Sequence, residues 1–193
     1  MTVATPNPSA KSESRADAQD FVFTFSYESY ADARKRGMMR PPDRLVATLM
    51  ASPHMSIGDG VLIGAGSWLI VPEQREPGPN IVIGDRVRIN TTSISAVSRV
   101  ELEDEVAIAR GCYISDHSHG FDDPDTAIRY QPITRVGPVL IRRGAWLGQN
   151  CVVMPGVTIG RGSVIGANSV VREDVPDRTV VAGVPARVIR ELS

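Results

Sequence analysis

The chain has 193 residues, enough for one domain with a substantial core plus a small appendage. It carries 21 Lys and Arg residues against 22 Asp and Glu residues, so its charge gives no reason to expect binding to nucleic acid or to a membrane surface. The N-terminus lacks the pattern of a signal peptide, and no apolar run approaches the roughly 18 residues that span a bilayer. We therefore expect a cytoplasmic protein that does not insert into membranes.

The N-terminal quarter of the chain differs in composition from the rest. Residues 1–20 are polar and contain proline, and we predict a disordered tail there. Residues 21–56 are predicted to form an appendage that caps the repetitive region that follows, and this appendage could equally help to define a substrate pocket. The alternating segment FVFTFSY within it indicates a short strand, and PPDRLVATLM at 41–50 indicates a helix that begins with proline. We expect His54 to lie on the surface rather than in a site.

A period of six residues governs the chain from residue 57 to residue 186. The clearest run is IRRGAW, LGQNCV, VMPGVT, IGRGSV, IGANSV and VREDVP, which starts at Ile141. The first position is aliphatic, the second is often glycine, and the fifth is small or β-branched. The same frame begins earlier, with interruptions, at Ile57, Ile63, Ile83, Ile89, Leu102, Ile108 and Ile114.

This period fits neither an α-helix nor a simple strand, and it favours a solenoid whose coils each contain three hexads. The first residue would point inward, and the second-position glycine would suit a tight turn. We therefore predict an all-β fold, a parallel β-helix over 57–186, followed by a C-terminal tail at 187–193. Cys112 and Cys151 occupy fifth positions, which predicts buried structural thiols.

Two segments interrupt the frame. Residues 71–80 are rich in Pro, Glu and Gly and indicate an exposed loop, whereas 115–140 form a much longer excursion. Long ordered loops on solenoids often form the binding face. The long loop opens with Asp116-His117-Ser118-His119, and histidine suits proton transfer near neutral pH. Two other interpretations remain open: an ordinary surface histidine, or a zinc site built from Asp116, His117, His119, Asp122 and Asp123.

From about residue 81 to residue 191 the chain resembles the galactoside, maltose and serine acetyltransferase superfamily, particularly its sugar O-acetyltransferases. The segments that carry the resemblance are ISDHSH, VLIRRGAWLGQNCVVMPGVTIGRGSVIGANSVVREDVP and the terminal AGVPARVIRE. The resemblance implies a left-handed β-helix, a homotrimer with active sites between subunits, and acetyl-CoA as co-substrate with no metal required.

The resemblance also implies roles for individual residues on the acceptor side of the site. His117 matches the general base of this family, and either Asp116 or an acid from a neighbouring subunit would orient its imidazole. Trp146 matches a tryptophan that walls the active site. Asn90 falls within about one residue of an asparagine that helps to bind the acceptor, and His119 lies beside the base as a further candidate for substrate binding.

On the coenzyme side, the resemblance places a backbone N–H near Gly148 or Gln149 at the developing oxyanion. Ala167 would line the groove for the pantetheine arm. Two basic residues, Arg187 and Arg190, match positions near the coenzyme A phosphates. The pair Arg172-Glu173 departs from the neutral–basic pair that is common in the family.

The function implied is direct transfer of an acetyl group from acetyl-CoA to a hydroxyl of a sugar or saccharide-containing acceptor. An amino-sugar N-acetyltransferase would need the same residues. A zinc protein similar to γ-carbonic anhydrase would need three converging histidines, and His54 lies far from His117 and His119 in sequence. A non-catalytic binding solenoid is the remaining alternative, because repeats define the scaffold and not the chemistry.

Overall fold

The computed structural model describes residues 52–64 and 66–193 and, for residues 21–24, the backbone. The predicted disordered tail at 1–20 and the predicted helix at 41–50 lie outside the described residues. Within the described ranges, no helix is long and apolar enough to cross a membrane.

The described chain winds through three sheets, here called faces 1, 2 and 3 in the order in which each coil meets them. Face 1 contains β2 (Met55–Ile57), β5 (Ile81–Ile83), β8 (Val100–Leu102), β13 (Val139–Ile141) and β16 (Thr158–Ile159). Face 2 contains β3 (Leu62–Ile63), β6 (Arg88–Ile89), β9 (Ala107–Ile108), β14 (Trp146–Leu147), β17 (Val164–Ile165) and β19 (Thr179–Gly183). Face 3 contains β4 (Trp68–Val71), β7 (Ser93–Ser95), β10 (Tyr113–Ser115), β15 (Val152–Val153) and β18 (Val170–Val171).

The core consists of stacked first-position residues. On face 1 the parallel register places Ile83 beside Leu102, Leu102 beside Ile141, and Ile141 beside Ile159. These four side chains are at most 1% exposed, and faces 2 and 3 contribute equivalent columns. Because each coil buries its inner side only against its neighbours, the stack forms one continuous core. The predicted all-β, left-handed parallel β-helix is confirmed.

The corners between faces confirm that a Cβ would be costly at a second-position glycine, but they show that the turn does not form at that glycine. It is the fourth position that takes the left-handed conformation, for example with φ of 62° at Glu105, 56° at Asn150 and 63° at Gly162. The second-position Gly160 has no such φ; instead, a Cβ there would collide with the backbone of Pro176 and Asp177 in the next coil. At Gly160 glycine is therefore required for close stacking, and the turn itself forms at the fourth position.

Additional strands cover both ends of the solenoid. β1 (Phe21–Thr24) pairs antiparallel with β4, within the segment that we predicted to form a capping appendage. At the other end, β20 (Ala186–Glu191) folds back antiparallel onto β19, so the segment that we predicted to form a C-terminal tail consists largely of a paired strand. Both strands provide hydrogen-bond partners for edges that would otherwise be open.

The long loop has its own internal structure. β11 (Ser118–His119) pairs antiparallel with β12 (Ile133–Thr134), and a single 3-10 turn spans Ile128–Tyr130. The buried side chain of Gln131 donates to the backbone carbonyls of Asp123 and Thr126 at 2.8 and 2.7 Å. Arg75, from the 71–80 loop, donates to the carbonyl of Ile133 at 3.0 Å. The two excursions from the solenoid are therefore in contact.

Candidate functional site

The centre of the site is a pair of adjacent side chains, Asp116 and His117, immediately after β10. Strand β10 is the last strand of face 3 before the chain leaves the solenoid, so both residues lie where the regular coil stops. Asp116 is fully buried, and its Oδ1 lies 2.7 Å from Nδ1 of His117. The His117 side chain is 8% exposed. With the proton on Nδ1 facing the carboxylate, Nε2 is left as an acceptor for a substrate proton.

Asp116 is itself held by the turn that connects β7 and β8. The backbone N–H of Val97 donates to Oδ1 at 3.0 Å, and those of Ser98 and Arg99 both donate to Oδ2 at 2.7 Å. Hydrogen bonds of this kind to a carboxylate are short and strong, so they fix the position of the side chain. The chain's own Asp116 is therefore suited to orient the imidazole.

Two serines that our sequence reasoning missed surround His117. Ser95 Oγ lies 3.5 Å from Nε2, and Ser115 Oγ lies 3.4 Å from Nδ1 and donates to the His117 carbonyl at 2.9 Å. Ser95 and Ser115 are register partners at the ends of β7 and β10. The similarity of the three-residue segments SIS at 93–95 and YIS at 113–115 was the signal available in the sequence, although the hexad frame slips by one residue between Ile89 and Ile94.

One further serine adjoins the histidine. Within the described ranges, the buried Oγ of Ser118 is the single buried side-chain polar atom without a hydrogen-bond partner. It lies one residue after His117, at the start of the long loop, and its buried hydroxyl retains the capacity to bond to another polar group.

The other acceptor-side residues do not meet His117 within one chain. Asn90 follows β6 at the corner between faces 2 and 3, and its Nδ2 donates to the carbonyl of Ile108 at 3.1 Å. Strand β7 runs from this corner to its last residue, Ser95, which lies beside His117. Trp146 begins β14 on face 2 and is 51% exposed, while His119 is an exposed residue of β11.

The predicted coenzyme residues Gly148, Gln149 and Ala167 do lie together, in adjacent coils at the corner between faces 2 and 3. The carbonyl of Gln149 accepts the N–H of Asn168 at 2.7 Å, which joins the two coils. The N–H of Gly148, however, donates to the carbonyl of Ile165 at 2.8 Å. The Gly148 N–H is therefore already hydrogen-bonded within the solenoid. Of the two N–H groups expected to bind the oxyanion, the N–H of the exposed Gln149 remains the candidate.

Of the two basic residues predicted to lie near coenzyme phosphates, one has a local acidic partner. Arg187 Nη1 lies 3.4 Å from Oε1 of Glu173, a residue at which the sequence departs from the family pattern. Both side chains are well exposed, at 61% and 75%. Arg190 lies in the same strand, β20, opposite Val180. The ion pair partly neutralises the charge that Arg187 would offer to a phosphate.

Both cysteines are buried in the core, as predicted. They lie in register in neighbouring coils, and their thiols donate to the carbonyls of Gly148 and Gly166, each at 3.2 Å. The interaction between the two side chains lowers the pKa of Cys151 and, together with burial, raises the pKa of Cys112. Cys151 is nevertheless 0% exposed. A substrate cannot reach its sulfur in this structure, which disfavours an acyl-cysteine intermediate.

The described histidines are not gathered at one point within a single chain. Among the described residues, no group of three or more His, Cys, Asp or Glu side chains is arranged to hold a metal ion. Our expectation that His54 lies on the surface was wrong: it is 8% exposed, and its Nδ1 lies 3.3 Å from Oδ1 of Asn80. Sequence distance from the loop suggested a surface residue, but the fold buries the start of the first coil.

Comparison with known proteins places the chain among bacterial transferases. Residues 138–173 match the family model for bacterial transferase hexapeptide (six repeats). Galactoside O-acetyltransferase of Escherichia coli K12 is 30% identical over 183 residues, which cover 94% of this chain and 80% of that protein. A second E. coli K12 protein, described as a lipopolysaccharide biosynthesis O-acetyl transferase, is 39% identical over 118 residues. The chain spans 60% of the length of that protein and 55% of the length of a Mycobacterium tuberculosis relative that is 32% identical.

Solved structures agree with the sequence comparison. A hexapeptide-repeat acetyltransferase from Vibrio cholerae, complexed with acetyl coenzyme A, superimposes with a TM-score of 0.63 at 27% identity, covering 86% of this chain and 87% of that one. A maltose O-acetyltransferase from Clostridium difficile gives 0.61 at 25% identity, covering 86% of this chain and 87% of that one. The repeat, the three-faced solenoid and these relatives together show that the chain belongs to the hexapeptide-repeat acetyltransferase family.

Proposed function

We propose that the protein transfers an acetyl group from acetyl-CoA to a hydroxyl of a sugar or saccharide-containing acceptor. The observation that carries the proposal is the Asp116–His117 pair, with a fixed carboxylate on one side of the imidazole and Nε2 available on the other. The similarity to galactoside and maltose O-acetyltransferases supports a saccharide acceptor. The Vibrio cholerae relative bound to acetyl coenzyme A supports the donor.

In the proposed mechanism His117 acts as a general base. Nε2 removes the proton of the acceptor hydroxyl while the oxygen attacks the thioester carbonyl. The tetrahedral oxyanion is stabilised by a backbone donor, for which Gln149 is the candidate. When the C–S bond breaks, the imidazolium returns its proton to the departing thiolate, and the products are the acetyl ester and free coenzyme A. Asp116 stabilises the imidazolium between these two steps.

We further propose that the protein works as a homotrimer with each active site between two subunits. Asn90, Trp146 and the Gly148–Ala167 corner all lie away from His117 on the same chain, so a second copy must supply them if they are to meet it. The half-exposed indole of Trp146 is a large apolar surface of the kind found at subunit contacts.

An acyl-serine intermediate is the alternative route that the geometry brings closest, because Ser95 approaches Nε2. Its contact at 3.5 Å is long for an activated nucleophile, and Ser95 is 7% exposed. Direct transfer therefore fits the geometry better, and intact-mass analysis after incubation with acetyl-CoA alone tests this. The unmodified mass is expected, whereas an acetylated Ser95 peptide would establish the two-step route.

The acceptor class is tested by supplying acetyl-CoA with panels of sugars, amino sugars and serine, and by measuring thiol release together with the mass and linkage of the product. We expect an O-acetylated saccharide. An N-acetylated amino sugar would revise the acceptor while keeping the base. A panel without any transfer, from a folded protein that also fails to bind acetyl-CoA, would favour a non-catalytic solenoid.

A further inference from the structure

The turn at residues 97–99 is held from two opposite sides. Its N–H groups, from Val97, Ser98 and Arg99, all point to the carboxylate of Asp116. Its carbonyl groups point the other way: those of Val97 and Ser98 accept hydrogen bonds from Nδ2 of Asn80 at 3.1 and 3.0 Å. The position of the carboxylate therefore depends on the position of the turn, and Asn80 holds two of the turn's three carbonyl groups. The N–H of Arg75 also donates to the carbonyl of Val97, and that of Val139 to the carbonyl of Arg99.

Asn80 is well placed to act as a fixed support. It is 0% exposed, its N–H donates to the carbonyl of His54 at 2.9 Å, and its carbonyl accepts the N–H of Val100 at 2.8 Å. The contact between its Oδ1 and Nδ1 of His54 sets the orientation of the amide, so that the NH₂ group faces the turn. Asn80 ends the 71–80 loop, outside the hexad repeat, so no pattern in the sequence pointed to its role.

We propose that Asn80 is a positioning residue for acyl transfer, acting through the 97–99 turn to hold Asp116 and thereby to orient His117. This inference rests on the proposed function, in which His117 is the base. Asn80 touches neither His117 nor the expected position of the substrate, so its effect is on geometry alone. Small displacements of a catalytic group lower rates strongly, by about 100-fold for 1 Å.

Substitutions of Asn80 separate its donor role from its size. Asn80→Ala removes the amide and leaves two backbone carbonyls without their donor. Asn80→Asp keeps the shape but replaces the NH₂ group with an oxygen, which faces the same carbonyls and repels them. A matched control is Ser163→Ala: Ser163 is also 0% exposed and joins neighbouring coils through bonds to Pro176 O and Thr179 N, but this network does not lead to Asp116.

The kinetic experiment compares wild type, Asn80→Ala, Asn80→Asp and Ser163→Ala by kcat, by KM for acetyl-CoA, and by the pH profile of kcat/KM. We expect both Asn80 variants to lose about tenfold or more in kcat with little change in KM, and Ser163→Ala to retain activity. In Asn80→Ala the acidic limb of the profile should move to lower pH, because a loosely held carboxylate stabilises the imidazolium less. The other groups next to the turn are His54, the Arg75 amide that donates to Val97 O, and the Arg99–Glu101 ion pair.

A second measurement does not depend on activity. Hydrogen exchange of the Val97–Arg99 amides should be slow in the wild type and faster in the Asn80 variants, but unchanged in Ser163→Ala. If the wild type shows no His117-dependent transfer, the proposed function fails, whereas exchange still reports whether Asn80 holds the turn. If neither Asn80 variant folds, His54→Gln, which changes the group that contacts Oδ1 of Asn80, is measured in the same way.

The positioning role is overturned by any one of three results. The first is a loss of kcat in the Asn80 variants no larger than that in Ser163→Ala. The second is an acidic limb that stays in place in Asn80→Ala. The third is unchanged exchange at residues 97–99. The positioning role is supported if the Asn80 variants lose kcat, if hydrogen exchange at residues 97–99 becomes faster, and if the acidic limb of the pH profile moves to lower pH in Asn80→Ala.

Discussion

The catalytic proposal depends on a carboxylate that is neither exposed nor mobile. Oδ1 of Asp116 lies 2.7 Å from Nδ1 of His117, and backbone N–H groups bind both oxygens of the carboxylate. Nδ1 therefore has a fixed acceptor, and the ring has a defined tautomer. A neutral amide in the same place would offer an N–H where the ring requires an acceptor. Whether residue 116 presents a carboxylate oxygen or an amide nitrogen to Nδ1 therefore determines which ring nitrogen can remove the substrate proton.

The change Asp116→Asn should reduce kcat by about 100-fold or more, because the amide favours the wrong tautomer and stabilises the imidazolium poorly. Steady-state kinetics at saturating acetyl-CoA measures this, with a thermal melt to verify folding. Asp122→Asn, an exposed acid of the same loop, is the matched control and should remain active. Equal losses in both variants would show that the charge of the loop matters and the pairing does not.

The ion pair between Arg187 and Glu173 leads to a prediction for the coenzyme. Glu173→Gln removes the competing carboxylate, so Arg187 becomes free to interact with a phosphate. KM for acetyl-CoA should fall about two- to fivefold, since an exposed pair of this kind contributes at most about 1 kcal/mol. The effect should diminish at high salt. An unchanged or raised KM would show that Arg187 does not contact the coenzyme.

At the scale of the element, two glycines in a single turn of the solenoid are needed for two different reasons. In the turn 159–162, Gly160 requires space because the next coil passes against it, whereas Gly162 requires a left-handed backbone with φ of 63° in open surroundings. Asparagine tolerates that conformation and occupies the equivalent position at Asn150 and Asn168.

These two reasons predict that a substitution is tolerated at Gly162 and is destabilising at Gly160. Gly162→Asn should change the free energy of unfolding by less than about 1 kcal/mol, while Gly160→Ala should destabilise by about 1–3 kcal/mol because the coils must move apart. Thermal or denaturant unfolding measures both variants. A Gly160→Ala protein as stable as the wild type would mean that the coils separate at little cost.

The hexad period predicted the solenoid because the repeat fixes which residues face inward, and this pattern depends on local sequence alone. It did not explain the turns correctly: the second-position glycine is conspicuous in sequence, but the clash that requires it lies in another coil. The buried contact between His54 and Asn80 joins two residues outside the repeat, where no period indicates which side chains point inward. Asp116 and His117 were predicted as site residues because they stand where the frame breaks, and the structure places their side chains in contact.

At the scale of the whole molecule, one chain brings together only part of the predicted site. His117 and its supports lie at the corner between faces 3 and 1, and Trp146 lies on face 2. If the active site forms between subunits, a subunit without a functional His117 can still contribute Trp146 to a neighbour's site, and a subunit without Trp146 can still contribute His117. Distances between these parts depend on the assembly, which sequence periodicity does not describe.

This arrangement predicts complementation. His117→Ala and Trp146→Ala homotrimers should each be weakly active, but mixed trimers, formed by co-expression or by unfolding and refolding together, should regain activity at sites that combine two intact halves. Light scattering should give the mass of a trimer for all three samples. Mixtures no more active than the separate variants would place the whole site within one subunit.

The most direct measurement is kcat/KM for acetyl-CoA-dependent thiol release with a saccharide acceptor, comparing wild type with His117→Ala. If His117 is the general base, the variant should fold normally, bind acetyl-CoA with similar affinity, and lose about 100- to 10,000-fold in kcat/KM. A His117→Ala protein that transfers acetyl groups within a few fold of the wild-type rate would contradict the proposed mechanism.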